Sequence, residues 1–235
     1  MPQMPAVLAN TLMPWFAKPS HVTHVEALSA RLKRVRFEGA SLRGVVHEPG
    51  HEVEFRVSAT EFRHYTPSLL DAQHGIMEVV FYLHGQGPGS AWAQGLKAGD
   101  AVDILGPGGR LAVDPDADSH LFLGDETCLG LFQAMVRALP SPLRLSGAVE
   151  VEPGCEDWLE KVGVPLTAVT REPGGARGEA LCAWLGRNVR KEATCYLAGH
   201  AGSIVRLRQE LLERHGLDKR ALRSKAYWAD GKRGL

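Results

Sequence analysis

The chain has 235 residues, 44% hydrophobic and 23% charged, enough for one large domain or two smaller ones with separate cores. Lys and Arg total 27 against 27 Asp and Glu, so no basic excess supports a nucleic-acid partner, and an anionic ligand must be met by a local cluster. Cys128, Cys155, Cys182 and Cys195 show no Cys-x-x-Cys spacing, which argues against a zinc site or a disulfide framework. No apolar run approaches the roughly 20 residues of a bilayer span, and the start does not read as a signal peptide. A soluble cytoplasmic protein with neither membrane nor nucleic acid as partner is expected.

Residues 1–24 are punctuated by Pro2, Pro5 and Pro14 beside an apolar cluster at Leu12, Met13, Trp15 and Phe16, and read as an arm. From Val25 the pattern changes to short extended segments, at 27–37, 52–58, 62–66, 75–83 and 101–105. Val53, Phe55 and Val57 alternate with Glu52, Glu54 and Arg56, the mark of a half-buried strand. Strands at this spacing, with no strong helix among them, predict a small antiparallel barrel over 25–116. The strand ending at Leu83 breaks into Gly85, Gly87, Pro88 and Gly89, which leave backbone N–H groups to face an anion. A helical turn over 90–96 follows, with Ser90 as candidate N-cap aimed at the same place, and a phosphate or pyrophosphate fits there.

The polar segment 114–118 marks the domain boundary, and beyond it, over 117–235, strands alternate with amphipathic helices. Strands at 120–123, 143–151, 165–170 and 194–198 precede helices at 126–139, 155–162, 178–185 and 204–214, which implies a parallel sheet with ligands at the carboxyl ends of its strands. In the run Leu121 to Gly130, Gly124 permits a tight turn, and Thr127 can cap the helix or donate to a ligand carbonyl. Asp125 and Glu126 would repel a pyrophosphate and suit an amide or a sugar hydroxyl, so a nicotinamide end fits this turn better. No Gly-x-Gly-x-x-Gly is present, so a dinucleotide held in the usual Rossmann manner is not supported. Arg171 or Arg177 suits a 2′-phosphate and Glu150 or Glu152 a free ribose, which leaves NADH and NADPH both open.

A barrel followed by a parallel-sheet domain, with Arg63-His-Tyr-Thr66 ahead of a glycine loop, resembles the ferredoxin-reductase-like flavoenzymes. Within them the chain is similar to the siderophore-interacting proteins, which are flavin-dependent ferric-siderophore reductases. The likeness rests also on Leu83-His-Gly85 with Gly87 to Trp92, Gly99-Asp100 with Gly106 to Gly109, Gly124 to Thr127, and Tyr227-Trp228. It implies a six-stranded antiparallel flavin-binding barrel and a parallel-sheet α/β nicotinamide-binding domain. Tyr65 would pack on the flavin ring, Thr66 would bond near its N5 edge, and Arg63 would help hold the phosphates of FAD. His84, Gly85, Gly87, Gly89, Ser90 and Trp92 would hold the rest. Gly124, Asp125, Glu126 and Thr127 would face the nicotinamide of NADH or NADPH, and Tyr227 and Trp228 would close the site.

The activity so implied takes electrons from NAD(P)H, or from reduced ferredoxin, through FAD to a ferric siderophore, which then releases ferrous iron. No protein metal-ligand set is read or needed. Arg223, Lys225, Lys232 and Arg233 are the candidate basic rim for an anionic siderophore. The family pattern is broken at Ser68, where a second arginine is usual, at Cys128-Leu129-Gly130, at His200 in place of a glutamate, and at Ala229 in place of a basic residue. The alternatives are a general flavin reductase or electron-transfer protein of the same fold and a non-catalytic siderophore- or flavin-binding relative.

Overall fold

The computed structural model describes residues 16–85, 87–140, 144–188 and 192–232. The chain divides into two compact units, Met1–Ala112 and Val113–Leu235. The apolar residues Leu12, Met13 and Trp15 of the expected arm lie outside the described residues, as does Arg233.

The first unit is one antiparallel sheet of seven strands: β1 (Lys18–Ser29), β2 (Leu32–Glu38), β3 (Glu52–Arg56), β4 (Phe62–Tyr65), β5 (Leu69–Asp71), β6 (Ile76–Tyr82) and β7 (Ala101–Gly108). Their order is β4-β3-β7-β1-β2-β6-β5, and among the described residues the end strands β4 and β5 do not pair. Where a six-stranded antiparallel barrel is expected, the antiparallel sheet has seven strands and, among the described residues, its ends are not joined by hydrogen bonds. The five extended segments become seven strands because β5 is not among them and one segment is two strands. The segment expected as one strand over 27–37 is a hairpin, turned at Ala30 and Arg31 with the Arg31 N–H on Ser29 Oγ at 3.2 Å. The arm, moreover, is strand from Lys18 onward, because Val22 is buried in the core and Lys18 to His21 pair with Ile104 to Ala101.

The core of this unit is Val35, Phe37, Val53, Phe55, Met77, Val79, Phe81 and Ile104, contributed by alternate positions of four strands. One helix, α1 (Pro88–Gly95), leaves the sheet after β6 and returns Ala93 and Leu96 to the same core.

The second unit is a parallel sheet in the order β10-β9-β8-β11-β12, built from β8 (Ser119–Asp125), β9 (Arg144–Val151), β10 (Thr167–Thr170), β11 (Thr194–His200) and β12 (Leu222–Trp228). Helices α2 (Leu129–Ala138), α3 (Trp158–Val162), α4 (Glu179–Asn188) and α5 (Ala201–Gln209) connect them. Every residue of β8 is buried, as a central strand covered on both faces requires. Leu121 and Leu123 pack with Trp184 and Leu207, while the Phe122 ring meets Phe132 edge-on at 5.4 Å and stacks on Tyr196 at 4.7 Å. The strand order reverses between β8 and β11, so the crevice of a doubly wound sheet falls beyond Asp125 and His200.

Candidate functional site

In the first unit, strand alternation sends Arg63 and Tyr65 of β4 to the core side of the sheet. Phe62 and His64 go to the other side, where His64 pairs with Glu54 of β3. The Tyr65 ring lies edge-on to Phe81 at 4.7 Å and 5.9 Å from Phe55. Burial pushes its phenol up to about 12, with the nearby Arg63 opposing, so the hydroxyl keeps its proton. Thr66 is buried beside it.

The first turn of α1 is laid directly on this pair. A Cβ at Gly89 would stand 2.6 Å from Tyr65 Oη and 3.1 Å from Arg63 Cγ, so only a glycine lets the helix approach this closely. The sequence expectation for the cap is corrected here. The helix begins at Pro88 with Gly87 as N-cap, and Ser90 sits inside the first turn, where its Oγ accepts the Gly85 N–H at 3.2 Å. A glycine N-cap has no side chain to cover the leading amides, whose N–H groups have no intrahelical acceptor. Arg63 uses two of its donors on Phe62 O and Glu61 Oε1, at 2.8 and 3.2 Å.

First-turn amides and an absent Cβ beside the stem of an arginine are a fit for the phosphates of FAD. Trp92 is half-buried, packed on Phe55 at 5.0 Å and Phe81 at 6.0 Å, which turns its ring toward the core. His84 follows β6 with its ring 6.0 Å from Tyr82, and desolvation holds its imidazole below the usual range. Ser68, where the family's second arginine would stand, is only 1% exposed, and its N–H and Oγ both donate to Glu78 O.

In the second unit the turn after β8 is built around Asp125. Its carboxylate accepts the Thr127 N–H at 3.0 Å, the Thr127 hydroxyl, the His200 N–H at 2.8 Å and the Trp228 indole N–H at 3.0 Å. Gly199, with φ +99°, lets β11 pass, since a Cβ there would lie 2.5 Å from Asp125 Oδ2. Glu126 is likewise turned inward. It accepts the Glu152 N–H at 2.8 Å and pairs with Arg171 at 3.3 Å. Arg171 reaches Glu150 at 3.3 Å, and Glu150 in turn accepts the Gly178 N–H at 3.0 Å. The carboxylates expected to face a ligand amide are thus bonded within the protein, because buried carboxylates require donors. Thr127 spends its hydroxyl on Asp125, and the backbone of the turn is what remains for a ligand.

Trp228 is clamped on this unit. The Arg177 guanidinium lies 4.5 Å over its ring, His200 packs 4.6 Å away, and Asp230 pairs with His200 Nε2 at 3.2 Å and with Arg177 at 3.9 Å. His200 caps α5 by accepting the Ser203 N–H on Nδ1, which assigns its proton to Nε2. Of the candidate basic rim, Arg223 pairs with Asp114 at 2.6 Å and stands in register with Tyr196, whereas Trp228 stands in register with His200 near the other end of β12. Lys225 lies between them on the same strand, and Lys232 is exposed. The structure therefore sets Arg223 toward the end of β12 away from Trp228. Arg177 and Asp230 belong to the clamp on Trp228, and no local pattern in the sequence marks Asp230.

Glu126 carries a pH signature. Desolvation first, then the Asp125 charge, raise its pKa to about 7 against the pull of Arg171. A carboxyl whose folded pKa is raised contributes stability that is complete below its unfolded pKa and is lost as pH rises through the folded one. Unfolding free energy should therefore fall between pH about 4.5 and about 7, by on the order of 3 kcal/mol. Glu126→Gln should flatten that fall in urea titrations at pH 5 and pH 8. Parallel pH dependences for the variant and the wild type would refute the assignment.

A seven-stranded antiparallel sheet followed by a five-stranded parallel one is the ferredoxin-reductase-like architecture. Residues 54–111 match the siderophore-interacting FAD-binding domain, and residues 117–231 match the siderophore-interacting protein domain. The chain belongs to the siderophore-interacting protein family. It is 26% identical over 243 residues to the mycobactin import ATP-binding/permease protein IrtA of Mycolicibacterium smegmatis, covering 96% of this chain and 28% of that protein. It is 25% identical over 176 residues to the ferric vibriobactin reductase ViuB of Vibrio cholerae, covering 72% of this chain and 65% of that one. The chain thus spans less than a third of the first relative and just under two thirds of the second. The crystal structure of a siderophore utilization protein from T. fusca superposes with a TM-score of 0.78 at 25% identity, over 93% of this chain and 95% of that one.

Proposed function

We propose that the chain is an FAD-dependent ferric-siderophore reductase that takes electrons from NADH or NADPH and delivers them to the ferric chelate in the cytoplasm. The observation that carries the reading is the close approach of Gly89 to Tyr65 Oη and the Arg63 stem, which sets the first-turn amides beside a protonated phenol and an arginine. When bound, FAD supplies the exchange between a two-electron donor and one-electron acceptors.

The protein's own residues bind and orient. Arg63 and the N–H groups of Gly87, Gly89 and Ser90 hold the phosphates, Tyr65 and Thr66 flank the ring, and His84 and Trp92 border the remainder. The backbone of Gly124 to Thr127 meets the nicotinamide, and Trp228 covers the site from the C-terminal side. Glu150 and Arg171 are spent on each other, so the choice between the two nicotinamides does not fall to them. Arg223, Lys225, Lys232 and Arg233 are the contacts proposed for an anionic chelate. Reduction weakens the hold of hard oxygen ligands on iron, so the metal leaves without a protein ligand set. Among the described residues no helix is long and apolar enough to cross a membrane.

The test is the visible spectrum of the purified protein after reconstitution with FAD, followed by anaerobic addition of NADH, NADPH and a ferric siderophore in turn. Bleaching by one nicotinamide and recovery with the chelate is the expected result. Recovery that is as fast with quinones or ferricyanide as with ferric chelates would replace the reading by a general flavin reductase. Bleaching by reduced ferredoxin alone would replace the donor, and failure to bind flavin would overturn the enzyme reading altogether.

A further inference from the structure

Lys33 occupies a position that its strand's pattern reserves for the core. It alternates with Val35 and Phe37 on β2, faces Phe81 across the ladder, and is 8% exposed. Its ammonium donates to Ala93 O at 2.9 Å, Gln94 O at 3.0 Å and Leu96 O at 2.7 Å, which uses all three of its hydrogens. These carbonyls end α1, whose own last turn carries no basic residue.

The cation thus takes the place of a C-cap and complements the negative end of the helix. The charge of Asp100 favours the ammonium form without an ion pair between the two. Asp100 also accepts the Lys97 N–H at 2.9 Å, while the backbones of Gly99 and Asp100 bond to Val22 of β1. This gives the Gly99-Asp100 pair a task that its place in the family motif does not explain.

A buried ammonium is a costly way to stabilise a core, and an apolar side chain of similar volume would do that better. What the ammonium adds is direction. Three bonds at fixed angles set the orientation of a helix only about 12 Å long, and the opposite end of that helix is the turn that rests on Tyr65 and Arg63.

We propose that Lys33, supported by Asp100, is a positioning residue for the phosphate half of the flavin site: by gripping the last carbonyls of α1 it aims the first-turn amides at the phosphates beside Arg63. The inference rests on the FAD reading above and concerns residues that touch no ligand.

The experiment compares the affinity for FAD with that for riboflavin, which lacks phosphates, by quenching of flavin fluorescence. Lys33→Met should weaken FAD binding about tenfold, near 1.4 kcal/mol, and leave riboflavin affinity unchanged. Lys33→Arg should recover part of the loss. Equal losses for both flavins, or no loss for FAD, would overturn the proposal. Should Lys33→Met fail to fold, Asp100→Asn carries the test. It keeps the acceptor for Lys97 and removes only the charge, and an unchanged FAD-to-riboflavin ratio in that variant overturns the proposal equally. A wild-type protein that binds neither flavin overturns the FAD reading itself, a result distinct from wild type and Lys33→Met binding FAD alike.

Discussion

Asp125→Ala should lower the stability of the second unit by about 3–5 kcal/mol, the cost of stranding buried donors that shared one carboxylate. The Thr127 N–H and hydroxyl, the His200 N–H and the Trp228 indole N–H all end on that group, and the residue is 4% exposed. Asp125→Asn should cost about half as much. One amide oxygen still serves two donors, while the amide nitrogen is set against the other two. Urea unfolding followed by tryptophan fluorescence measures both variants. A loss below about 1 kcal/mol for the alanine variant would mean that water replaces the carboxylate and that the turn is not held as described.

The second large effect concerns ligand rather than fold. Gly89→Ala should reduce FAD affinity about a hundredfold, because the new methyl group must displace Tyr65 Oη from 2.6 Å and Arg63 Cγ from 3.1 Å. With the far end of α1 gripped by Lys33, the helix can yield only by tilting its first turn away from Arg63. Helix propensity pulls the other way, since alanine is favoured over glycine by about 1 kcal/mol, so the variant should stay folded. Removing the phenolic oxygen as well, in Gly89→Ala with Tyr65→Phe, should restore much of the affinity. Undiminished FAD binding in the single variant would show that the phosphates do not depend on this contact.

What the chain displays locally is what could be read from it. The alternation at Val53 and Phe55, the glycines around Pro88 and the apolar run of β8 each report their own strand, loop or buried core. Features made by distant partners were hidden. Lys18–His24 reads as a continuation of the proline-punctuated start because the partners that make it a strand, β2 and β7, lie further along the chain. The turn at Ala30 and Arg31 has no glycine, proline or asparagine to announce it. β5 is too short to show a period, and β12 is interrupted by Arg223, Ser224 and Lys225 in the manner of a protected edge.

The candidate site divides in the same way. Residue types at Arg63, Tyr65 and Gly89 were legible, and the structure brings them together. The inward turn of Asp125 was not, because its donors arrive from positions 75 and 103 residues away, and the carbonyls that receive Lys33 lie at least 60 residues from it. No local window contains such pairs.

The threading of the first sheet has a consequence for the order in which the protein is made. β7 lies between β1 and β3, so the strand begun at Lys18 waits for residues 101–104 before its outer neighbour exists. Once Gly108 has been added every member of that sheet is present, and the next sheet does not begin until Ser119. A growing chain can therefore complete its first unit, with Arg63, Tyr65 and α1 in place, while the second is still being translated. A chain truncated after Ala112 retains every strand of its first sheet.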